Sequence, residues 1–275
     1  MNKIIKKRRL ASNVCEYVID APRVAKKAKP GMFIILRVDD EGERIPFTIC
    51  DYSAEEGTVT ILVQEVGYST ARLAEIDEGG YISDFVGPLG KPTDLTEFNR
   101  ICLVGGGIGT AVIYPQAKFL KSIGKPADVI VGARNKSLIM YEDEFKASAN
   151  NLFLTTDDGS YIRKGFVTDV LRENLEKGLY DCVMAVGPMP MMRAVCNLTK
   201  EFGVKTVVSM NPVMVDGTGM CGGCRIKVGG QIKYACVDGP EFDGHEIDWA
   251  EAMNRLGAYK THEKETVCRL TGEKE

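Results

Sequence analysis

Short apolar runs, broken at regular intervals by turn residues, fill the first third of the chain. They predict strands at residues 14–19, 32–38, 46–50, 59–66 and 81–85. Turn signals at 30–31, 39–42 and 55–57 separate these runs. Several short strands at this spacing are typical of a small antiparallel barrel. We therefore predict an antiparallel β-barrel domain over residues 1–95.

The pattern changes after residue 100 to mostly apolar runs that alternate with amphipathic segments. Strands are predicted at 100–104, 127–133, 151–155 and 182–186, and helices at 111–122, 142–149, 167–176 and 189–202. Alternating strands and helices form a doubly wound parallel sheet, which binds ligands at the carboxyl ends of its strands. We predict an α/β nucleotide-binding domain over 96–208. The Gly-Pro-Leu-Gly-Lys-Pro run at 87–92 is interpreted as the hinge between the two domains.

Candidate nucleotide ligands follow the strands of this α/β domain. A Gly-Gly-Gly-Ile-Gly-Thr turn, close to but not matching the G-x-G-x-x-G fingerprint, would let a phosphate approach the start of the next helix. The turn contributes Gly105, Gly106, Gly107, Gly109 and Thr110. The other strand ends contribute Arg134, Asp157, Asp158, Gly187, Pro188 and Met189.

Two aspartates bear on the choice of nicotinamide cofactor. Asp157 and Asp158 could accept hydrogen bonds from a ribose 2′-hydroxyl and would repel a 2′-phosphate, which favours NAD(H) over NADP(H). Arg134, with Lys136 nearby, is a competing signal because it could hold a phosphate. The aspartates also fit an ordinary solvated Asp-Gly turn. On balance we expect NAD(H).

Two segments of the barrel carry polar groups suited to a second nucleotide. The first places Arg44 and Thr48 on one predicted strand, on either side of a proline. The second runs through Gly67 into a helix start at Ser69 and Thr70, whose hydroxyls and N–H groups suit a pyrophosphate. An edge-strand proline and a Ser/Thr helix cap explain the same residues without any ligand.

The segment 216–236 has the ligand spacing of an iron–sulfur site. Asp216, Cys221, Cys224 and Cys236 follow the C-x4-C-x2-C…C pattern of plant-type clusters, with aspartate in the first position. A carboxylate is anionic like the thiolate it replaces, so the charge of the cluster is preserved. We predict a [2Fe–2S] cluster with three cysteine ligands and one aspartate. A zinc knuckle completed by Asp216 or His245, and a Cys-x-x-Cys dithiol, remain alternatives.

Composition limits the partners and the compartment. The 275 residues carry a net charge of −3, from 35 basic and 38 acidic side chains, so no basic field is available to hold a nucleic acid. No apolar run approaches the roughly 20 residues of a membrane span, and the N-terminus does not resemble a signal peptide. Nine cysteines, scattered singly outside the cluster segment, indicate a reducing interior. We expect a cytoplasmic protein.

The order of these units resembles the ferredoxin–NADP+ reductase superfamily: a flavin-type barrel, a nucleotide-binding α/β domain, and a small iron–sulfur domain over 209–275. Within it, the chain resembles the electron-transfer subunit of dihydroorotate dehydrogenase B. It looks closer still to the small subunits of NADH-dependent reduced ferredoxin:NADP+ oxidoreductase, also described as sulfide dehydrogenase subunits. The motifs that carry the resemblance lie at 44–48, 66–70, 103–109, 156–160 and 221–224.

The resemblance implies that the barrel binds FAD. Pro46, Phe47 and Thr48 would line the isoalloxazine, with Thr48 at the flavin N5 edge, where hydride transfer occurs. The ribityl chain would pass Val63 and Gln64, and the pyrophosphate would be capped by Gly67, Ser69 and Thr70. Arg44 departs from the superfamily motif, since Ile45 occupies the arginine position. A shift of one residue along a strand moves the side chain to the opposite face of the sheet, so Arg44 would not point where the superfamily arginine does.

The resemblance also implies an oxidoreductase subunit that moves electrons between NAD(H), FAD and a [2Fe–2S] cluster within an electron-bifurcating enzyme. An aspartate at position 216 resembles the electron-bifurcating branch of the family, because the dihydroorotate dehydrogenase relatives have cysteine at this position. The implied heterodimer partner is a larger flavoprotein with FAD and [4Fe–4S] clusters, related to the small subunit of glutamate synthase, which would link the chain to ferredoxin and NADP(H). Two other functions stay open. These are an electron-transfer subunit of dihydroorotate dehydrogenase and a zinc-stabilised nucleotide-binding protein.

Overall fold

The computed structural model describes residues 1–258, and two antiparallel sheets form its N-terminal unit. The strands are β1 (Asn2–Ala11), β2 (Val14–Asp20), β3 (Phe33–Arg37), β4 (Arg44–Thr48), β5 (Asp51–Ser53), β6 (Thr58–Gln64), β7 (Tyr81–Ile82) and β8 (Asp84–Leu89). Two short helices are α1 (Pro22–Ala25) and α2 (Tyr68–Ala74). The larger sheet has the order β5-β6-β2-β1-β7, and the smaller has the order β4-β3-β8.

Both sheets turn apolar side chains into one core. Tyr17 and Ile61 from the larger sheet, and Ile34 and Leu36 from the smaller one, are fully buried in the same cluster. Each such side chain stabilises the folded state by about 1.5–3 kcal/mol relative to full exposure. The predicted antiparallel barrel is therefore confirmed.

The Gly-Pro run after residue 86 is not a hinge along its whole length. Residues 87–89 continue strand β8, where Leu89 pairs with Phe33 and Val86 pairs with Ile35. The register shifts between these two pairs, so Pro88 lies at a bulge. A bulge tolerates a residue that has no N–H group to donate. The last barrel strand, predicted to end at residue 85, therefore extends to Leu89.

The central unit alternates strands and helices. Its elements are β9 (Ile101–Gly106), α3 (Gly109–Ser122), β10 (Asp128–Ala133), a 3-10 turn (Lys136–Leu138), α4 (Glu142–Ser148), β11 (Leu152–Thr156), α5 (Val167–Glu176), β12 (Cys182–Val186), α6 (Met189–Glu201) and β13 (Lys205–Ser209). The strands lie parallel in the order β11-β10-β9-β12-β13. Helices α3 and α4 pack on one face of the sheet, and α5 and α6 pack on the other. This confirms the predicted doubly wound sheet.

The C-terminal unit is built partly onto that sheet. It contains β14 (Arg225–Val228), β15 (Gln231–Tyr234), α7 (Ala235–Asp238), β16 (Glu241–Asp243) and α8 (Trp249–Gly257). Strand β16 pairs antiparallel with β13, so the small unit extends the edge of the nucleotide-binding sheet. The sequence at 249–256 has the periodicity of an amphipathic helix and forms α8. His262 and Cys268 lie outside the described residues. No helix within 1–258 combines the length and apolarity that a membrane crossing requires.

The barrel and the α/β unit share a core. Val14 and Leu62 of the barrel belong to the same buried cluster as Leu103 of β9. The hydroxyl of Tyr141 also donates to Glu16 across this boundary at 2.5 Å, and Glu16 accepts from Arg8 at 3.0 Å. Desolvation raises the pKa of Tyr141, so the hydroxyl keeps its proton and remains a donor. Apolar packing and this hydrogen bond together fix the relative orientation of the two units.

Candidate functional site

The loop that carries the predicted cluster ligands brings two thiols into contact. Cys224 Sγ and Cys236 Sγ are 3.2 Å apart, and both side chains are 2% exposed. The Cys236 N–H group also points at Cys224 Sγ, at 3.5 Å. Burial, followed by the interaction with Cys224, raises the pKa of the Cys236 thiol to about 12. A thiol with a raised pKa keeps its proton. A metal ion that replaced this proton would compensate the negative charge of both thiolates.

The other two predicted ligands, Asp216 and Cys221, form a second pair nearer the surface. The Asp216 carboxylate accepts hydrogen bonds from the N–H groups of Thr218 and Cys221, each at 2.9 Å. These bonds, that from Thr218 foremost, lower the pKa of Asp216, so the side chain is ionised. The Cys221 thiol is exposed and accepts from the Gly223 N–H group at 3.4 Å.

Two separate pairs of ligand side chains in one glycine-rich loop suit a two-iron cluster better than a single zinc ion. Each iron of a [2Fe–2S] core takes two protein ligands, whereas a structural zinc needs four ligands around one point. Within residues 1–258, no three His, Cys, Asp or Glu side chains converge on one point. The N–H groups directed at the Cys221 and Cys224 sulfurs are of the kind that tunes a cluster's potential. The residues present therefore fit the cluster.

The cluster loop packs on the outer face of the smaller barrel sheet. Ile35 of β3 and Leu89 of β8 lie in one apolar cluster with Cys224 and Cys236. Gly217 makes the closest approach, because a Cβ there would lie 2.9 Å from the side chains of both Ile35 and Leu89. Its φ of 73° is also one that glycine adopts without strain. The cluster ligands are thereby held against the barrel.

Strand β4 presents the predicted flavin contacts on alternating faces. Thr48 opposes Phe33, and Pro46 opposes Ile35. Opposed residues of antiparallel strands point to the same face, so Thr48 and Pro46 share the face on which the cluster loop packs. Phe47 points to the other face and is partly buried against the barrel core. The structure thus brings Pro46 and Thr48 together and separates Phe47 from them.

The predicted pyrophosphate ligands lie where β4 adjoins the start of α2. Ser69 Oγ donates to Glu43 at 3.0 Å, next to the exposed Arg44. The Thr70 hydroxyl accepts from the Gly67 N–H group at 3.1 Å and donates to the Gly67 carbonyl at 2.8 Å. Thr70 therefore stabilises the turn, and Ser69 and Arg44 lie at its surface.

The two residues predicted beside the ribityl chain end strand β6. The Val63 side chain is 1% exposed and belongs to the barrel core. Gln64 is half-buried and pairs with Val14 on β2. Only the backbone of Val63, together with the Gln64 side chain, is available to a ligand.

The glycine-rich turn after β9 and the loop after β12 meet where the strand order reverses. Strands run outward from β9 to β11, and the chain then crosses back to β12 on the other side of β9. The crevice above such a reversal is where doubly wound sheets bind nucleotides. The structure brings to it all eight residues predicted there: Gly105, Gly106, Gly107, Gly109, Thr110, Gly187, Pro188 and Met189.

Two of these glycines are required by close packing. A Cβ at Gly109 would collide with the Val186 carbonyl, and one at Gly105 would lie 2.8 Å from the Thr110 Cα atom. Gly107 has a φ of 55° with open space beside it. The turn is therefore packed tightly against β12 and open on the side of Gly107, where a phosphate could approach its backbone.

The charged residues predicted for ribose selection lie at the ends of β10 and β11. Arg134, Asp157 and Asp158 are all exposed. The N–H groups of Asp157 and Asp158 donate to the carbonyls of Ala133 and Arg134 at 3.0 and 3.2 Å, which ties the two strand ends together. Asp158 also accepts from the Ser160 N–H group at 2.9 Å, as in an Asp-Gly turn. Arg134 lies one strand nearer to the glycine-rich turn than the aspartates.

Sequence reasoning missed the side chains that support the cluster loop. Phe33, Ile35 and Leu89 were expected only as barrel or hinge residues, yet they pack against the loop. Gly90 likewise approaches the C-terminal unit, since a Cβ there would lie 3.0 Å from the Gly239 carbonyl. The Gly-Pro-Leu-Gly run was the available signal, because two glycines around a strand end indicate a close backbone approach.

An antiparallel barrel, a doubly wound sheet and a cluster loop held against the barrel define an electron-transfer reductase of the ferredoxin–NADP+ reductase class. Residues 211–248 match the iron–sulfur cluster binding domain of dihydroorotate dehydrogenase B. A solved structure, described as an NADH-dependent reduced ferredoxin-NADP oxidoreductase that informs on flavin-based electron bifurcation, is similar with a TM-score of 0.93. It is 45% identical in sequence, over 98% of each chain.

Two relatives give the family. A dihydroorotate dehydrogenase B (NAD(+)) electron transfer subunit homolog from Thermotoga maritima is 45% identical, over 100% of this chain and 98% of its own length. The dihydroorotate dehydrogenase B (NAD(+)) electron transfer subunit of Fusobacterium nucleatum is 35% identical, over 80% of this chain and 86% of its own. The chain belongs to the family of dihydroorotate dehydrogenase B electron-transfer subunits and their homologues.

Membership of this family confirms the expected NAD(P)H-dependent flavin and iron–sulfur oxidoreductase subunit. It also confirms the expected cofactors, FAD, NAD(H) and a [2Fe–2S] cluster. The names of both relatives describe them as electron transfer subunits or homologues of such subunits.

Proposed function

We propose that the chain is the small subunit of an electron-bifurcating, NADH-dependent reduced ferredoxin:NADP+ oxidoreductase. Its 45% identity to a solved protein of that description spans 98% of the chain. Its identity to the dihydroorotate dehydrogenase subunit of Fusobacterium nucleatum is lower, at 35% over 80% of the chain. Asp216 in the first ligand position also favours this branch.

The observation that carries the proposal is the packing of the cluster loop beside the strand that would hold the flavin. Thr48 and Pro46 point to the same side as Phe33 and Ile35, on which the loop lies. A flavin bound there adjoins the ligands of the cluster. FAD, when bound, converts two-electron hydride exchange with NAD(H) into the single electrons that a [2Fe–2S] cluster accepts.

Each unit of the chain would then hold one redox group or nucleotide. The barrel (1–95) would hold FAD, with the Thr48 hydroxyl at the flavin N5 edge and Ser69 and Arg44 near the pyrophosphate. The α/β unit (96–208) would hold the NAD(H) phosphates at the open side of Gly107, and Asp157 would take the ribose. The remaining residues (209–275) would hold the cluster. The described cysteines are all free, which favours a cytoplasmic location.

A visible spectrum of the anaerobically purified chain, with flavin, iron and zinc assayed on the same sample, tests this function. Flavin bands and iron–sulfur absorbance that NADH bleaches faster than NADPH are the expected result. The aspartates at the ends of β11 would discriminate against a 2′-phosphate. A colourless protein that contains zinc would contradict the proposal and leave a nucleotide-binding protein.

The subunit of a dihydroorotate dehydrogenase is a second candidate, favoured by the match of 211–248 to that enzyme's iron–sulfur domain. It would hold the same cofactors, so the spectrum does not distinguish the two. The identity of the subunit that co-purifies with the chain distinguishes the two candidates. A partner that contains FAD and [4Fe–4S] clusters, related to the glutamate synthase small subunit, supports the bifurcating enzyme, whereas a dihydroorotate dehydrogenase supports the alternative.

The larger subunit would dock over the cluster loop. Large apolar side chains are exposed around it: Met220 is 88% exposed, Val215 54% and Ile232 63%. Exposed apolar surface is a feature of protein interfaces, and Met220 immediately precedes the ligand Cys221. A partner bound there would lie next to the cluster ligands, where electrons must leave the chain. This group of three residues is the docking patch.

Charges placed in the docking patch are expected to release the partner. Met220→Glu combined with Ile232→Glu should lower co-purification of the larger subunit by at least about tenfold, because two charges would be buried in an apolar contact. The cluster spectrum of the isolated chain should not change. Ile123→Glu, at an apolar position that is 43% exposed on the end of α3, is the matched control. Undiminished co-purification of the double variant would place the interface elsewhere.

A further inference from the structure

A buried carboxyl group lies where the barrel, the linker after it and the C-terminal unit meet. Both carboxyl oxygens of Glu241 and the hydroxyl of Thr93 are buried, and none has a hydrogen-bond partner within the described residues. All three atoms surround Gly31. A Cβ there would lie 2.6 and 3.0 Å from the two Glu241 oxygens and would collide with the Thr93 hydroxyl. A buried polar group without a partner calls for a function.

No cation compensates this carboxyl within the described part of the chain. Burial raises the pKa of Glu241 to about 8, and it is the only cause of the shift. The other charged residues on the neighbouring elements are exposed, paired with each other or hydrogen-bonded elsewhere. Lys29, Lys91 and Asp94 are exposed, Arg37 pairs with Asp84, Lys205 pairs with Asp243, and Asp238 accepts from the Tyr234 N–H group. At neutral pH the group therefore carries a proton, and it ionises in mildly alkaline solution.

The Glu241 carboxyl contacts the residue that leads into β3, the strand on which the cluster loop packs. Gly31, against which the carboxyl packs, is two residues before Phe33, and Phe33 opposes Thr48 on β4. At the rise of a β-strand, this places the carboxyl on the order of 10 Å from Thr48. On the other side, Phe242 packs in the same apolar cluster as Cys236. An added charge at either redox site therefore changes the pKa of Glu241, because the carboxyl is poorly solvated.

We propose that Glu241 is a redox-linked proton site of the [2Fe–2S] cluster, an inference that rests on the function proposed above. In mildly alkaline solution, where Glu241 is ionised, its carboxylate would take one proton from solvent when a bound cluster accepts one electron from reduced FAD. It returns the proton when the electron leaves for the partner. Only the O–H bond of the carboxyl forms and breaks. The proton offsets the charge that the electron adds, which makes reduction easier below the pH at which Glu241 ionises.

The pH dependence has a definite sign. Added negative charge on the cluster raises the pKa of Glu241 above its value in the oxidised protein. Below about pH 8 the carboxyl is protonated in both redox states, so the cluster potential does not depend on pH. Above that pH, reduction requires proton uptake, and the potential falls as the pH rises. It becomes constant again once the pH exceeds the raised pKa of the reduced state.

Redox titration of the cluster in the full-length chain, followed by electron paramagnetic resonance between about pH 6 and pH 10, tests the proposal. The wild-type potential should fall above about pH 8, and the potential of Glu241→Gln should stay constant across the range. Glu246→Gln removes an exposed carboxylate five residues away and should keep the wild-type dependence. A constant wild-type potential, or an unchanged dependence in Glu241→Gln, would overturn the proposal.

A second measurement serves if Glu241→Gln loses its cluster. The infrared difference spectrum of the wild-type chain between redox states, recorded above pH 8, should contain the C=O band of a carboxyl that gains a proton on reduction. Absence of that band would overturn the proposal. A chain that binds no cluster would overturn the proposed function as well, whereas a cluster with a pH-independent potential would overturn this inference alone.

Discussion

Replacement of Cys236 by serine is expected to abolish the [2Fe–2S] cluster and leave FAD in place. The Cys236 sulfur lies 3.2 Å from Cys224 Sγ in a site that is 2% exposed, so no other thiolate can take its position. A serine hydroxyl ionises far less readily than a thiol and is a poor iron ligand. Iron content and the electron paramagnetic resonance signal of the reduced protein should both be lost.

The same substitution should also destabilise the C-terminal unit. Ligand binding by residues 216–236 contributes to folding free energy, so loss of the cluster should cost roughly several kcal/mol in this region. The buried clusters of the barrel and of its boundary with the α/β unit contain no residue of the C-terminal unit, so both units should remain folded. NADH should therefore still reduce the flavin, while electron transfer to an external one-electron acceptor through the cluster should stop.

Cys196→Ser is the matched control for Cys236→Ser. Cys196 is also 2% exposed, but it packs in the α/β core, away from the cluster loop. The Cys196→Ser variant should lose some stability and keep its iron. Full iron content in Cys236→Ser would show that Cys236 is not a ligand and would reopen the zinc and dithiol alternatives.

The fold could be predicted where the signals are local. Mostly apolar runs located β9, β10, β11 and β12 within a few residues, because a parallel strand buried on both faces needs such a run. Strands β14 and β15 were missed because their sequences, Arg-Ile-Lys-Val and Gln-Ile-Lys-Tyr, contain too few apolar residues to stand out. Strand β16 was missed because three residues are too few to show the alternation of apolar and polar positions that marks a strand.

The candidate site could be predicted only in part, since its assembly depends on contacts distant in sequence. Spacing alone marked Cys221, Cys224 and Cys236. It did not indicate that the loop would rest on Ile35 and Leu89, because a strand face carries no sign of what will cover it. Strand alternation separates Thr48 from Phe47, yet the face each takes is set by pairing with β3.

The largest effect expected in the nucleotide site comes from Gly109→Ala. The new Cβ would collide with the Val186 carbonyl, so α3 would have to move away from the end of β12. Overpacking of this kind costs about 1–3 kcal/mol of stability. A displacement of about 1 Å at the phosphate turn would misalign the nicotinamide, and flavin reduction by NADH should slow about 10²-fold. Stopped-flow absorbance over a range of NADH concentrations measures the change.

Gly124→Ala separates misalignment from general loss of stability. Gly124 follows the other end of α3, with a φ of 77° and no atom within 4 Å of the position that a Cβ would take. Alanine there adds backbone strain of about 1–2 kcal/mol without a collision. Flavin reduction should keep its wild-type rate in this control.

The cofactor spectra of Gly109→Ala complete the comparison. The FAD and cluster bands should be unchanged in this variant, because both groups lie on the barrel side of the molecule. The defect should therefore be confined to the reaction with NADH. A wild-type rate and KM in Gly109→Ala would mean that NADH does not dock in the crevice between β9 and β12.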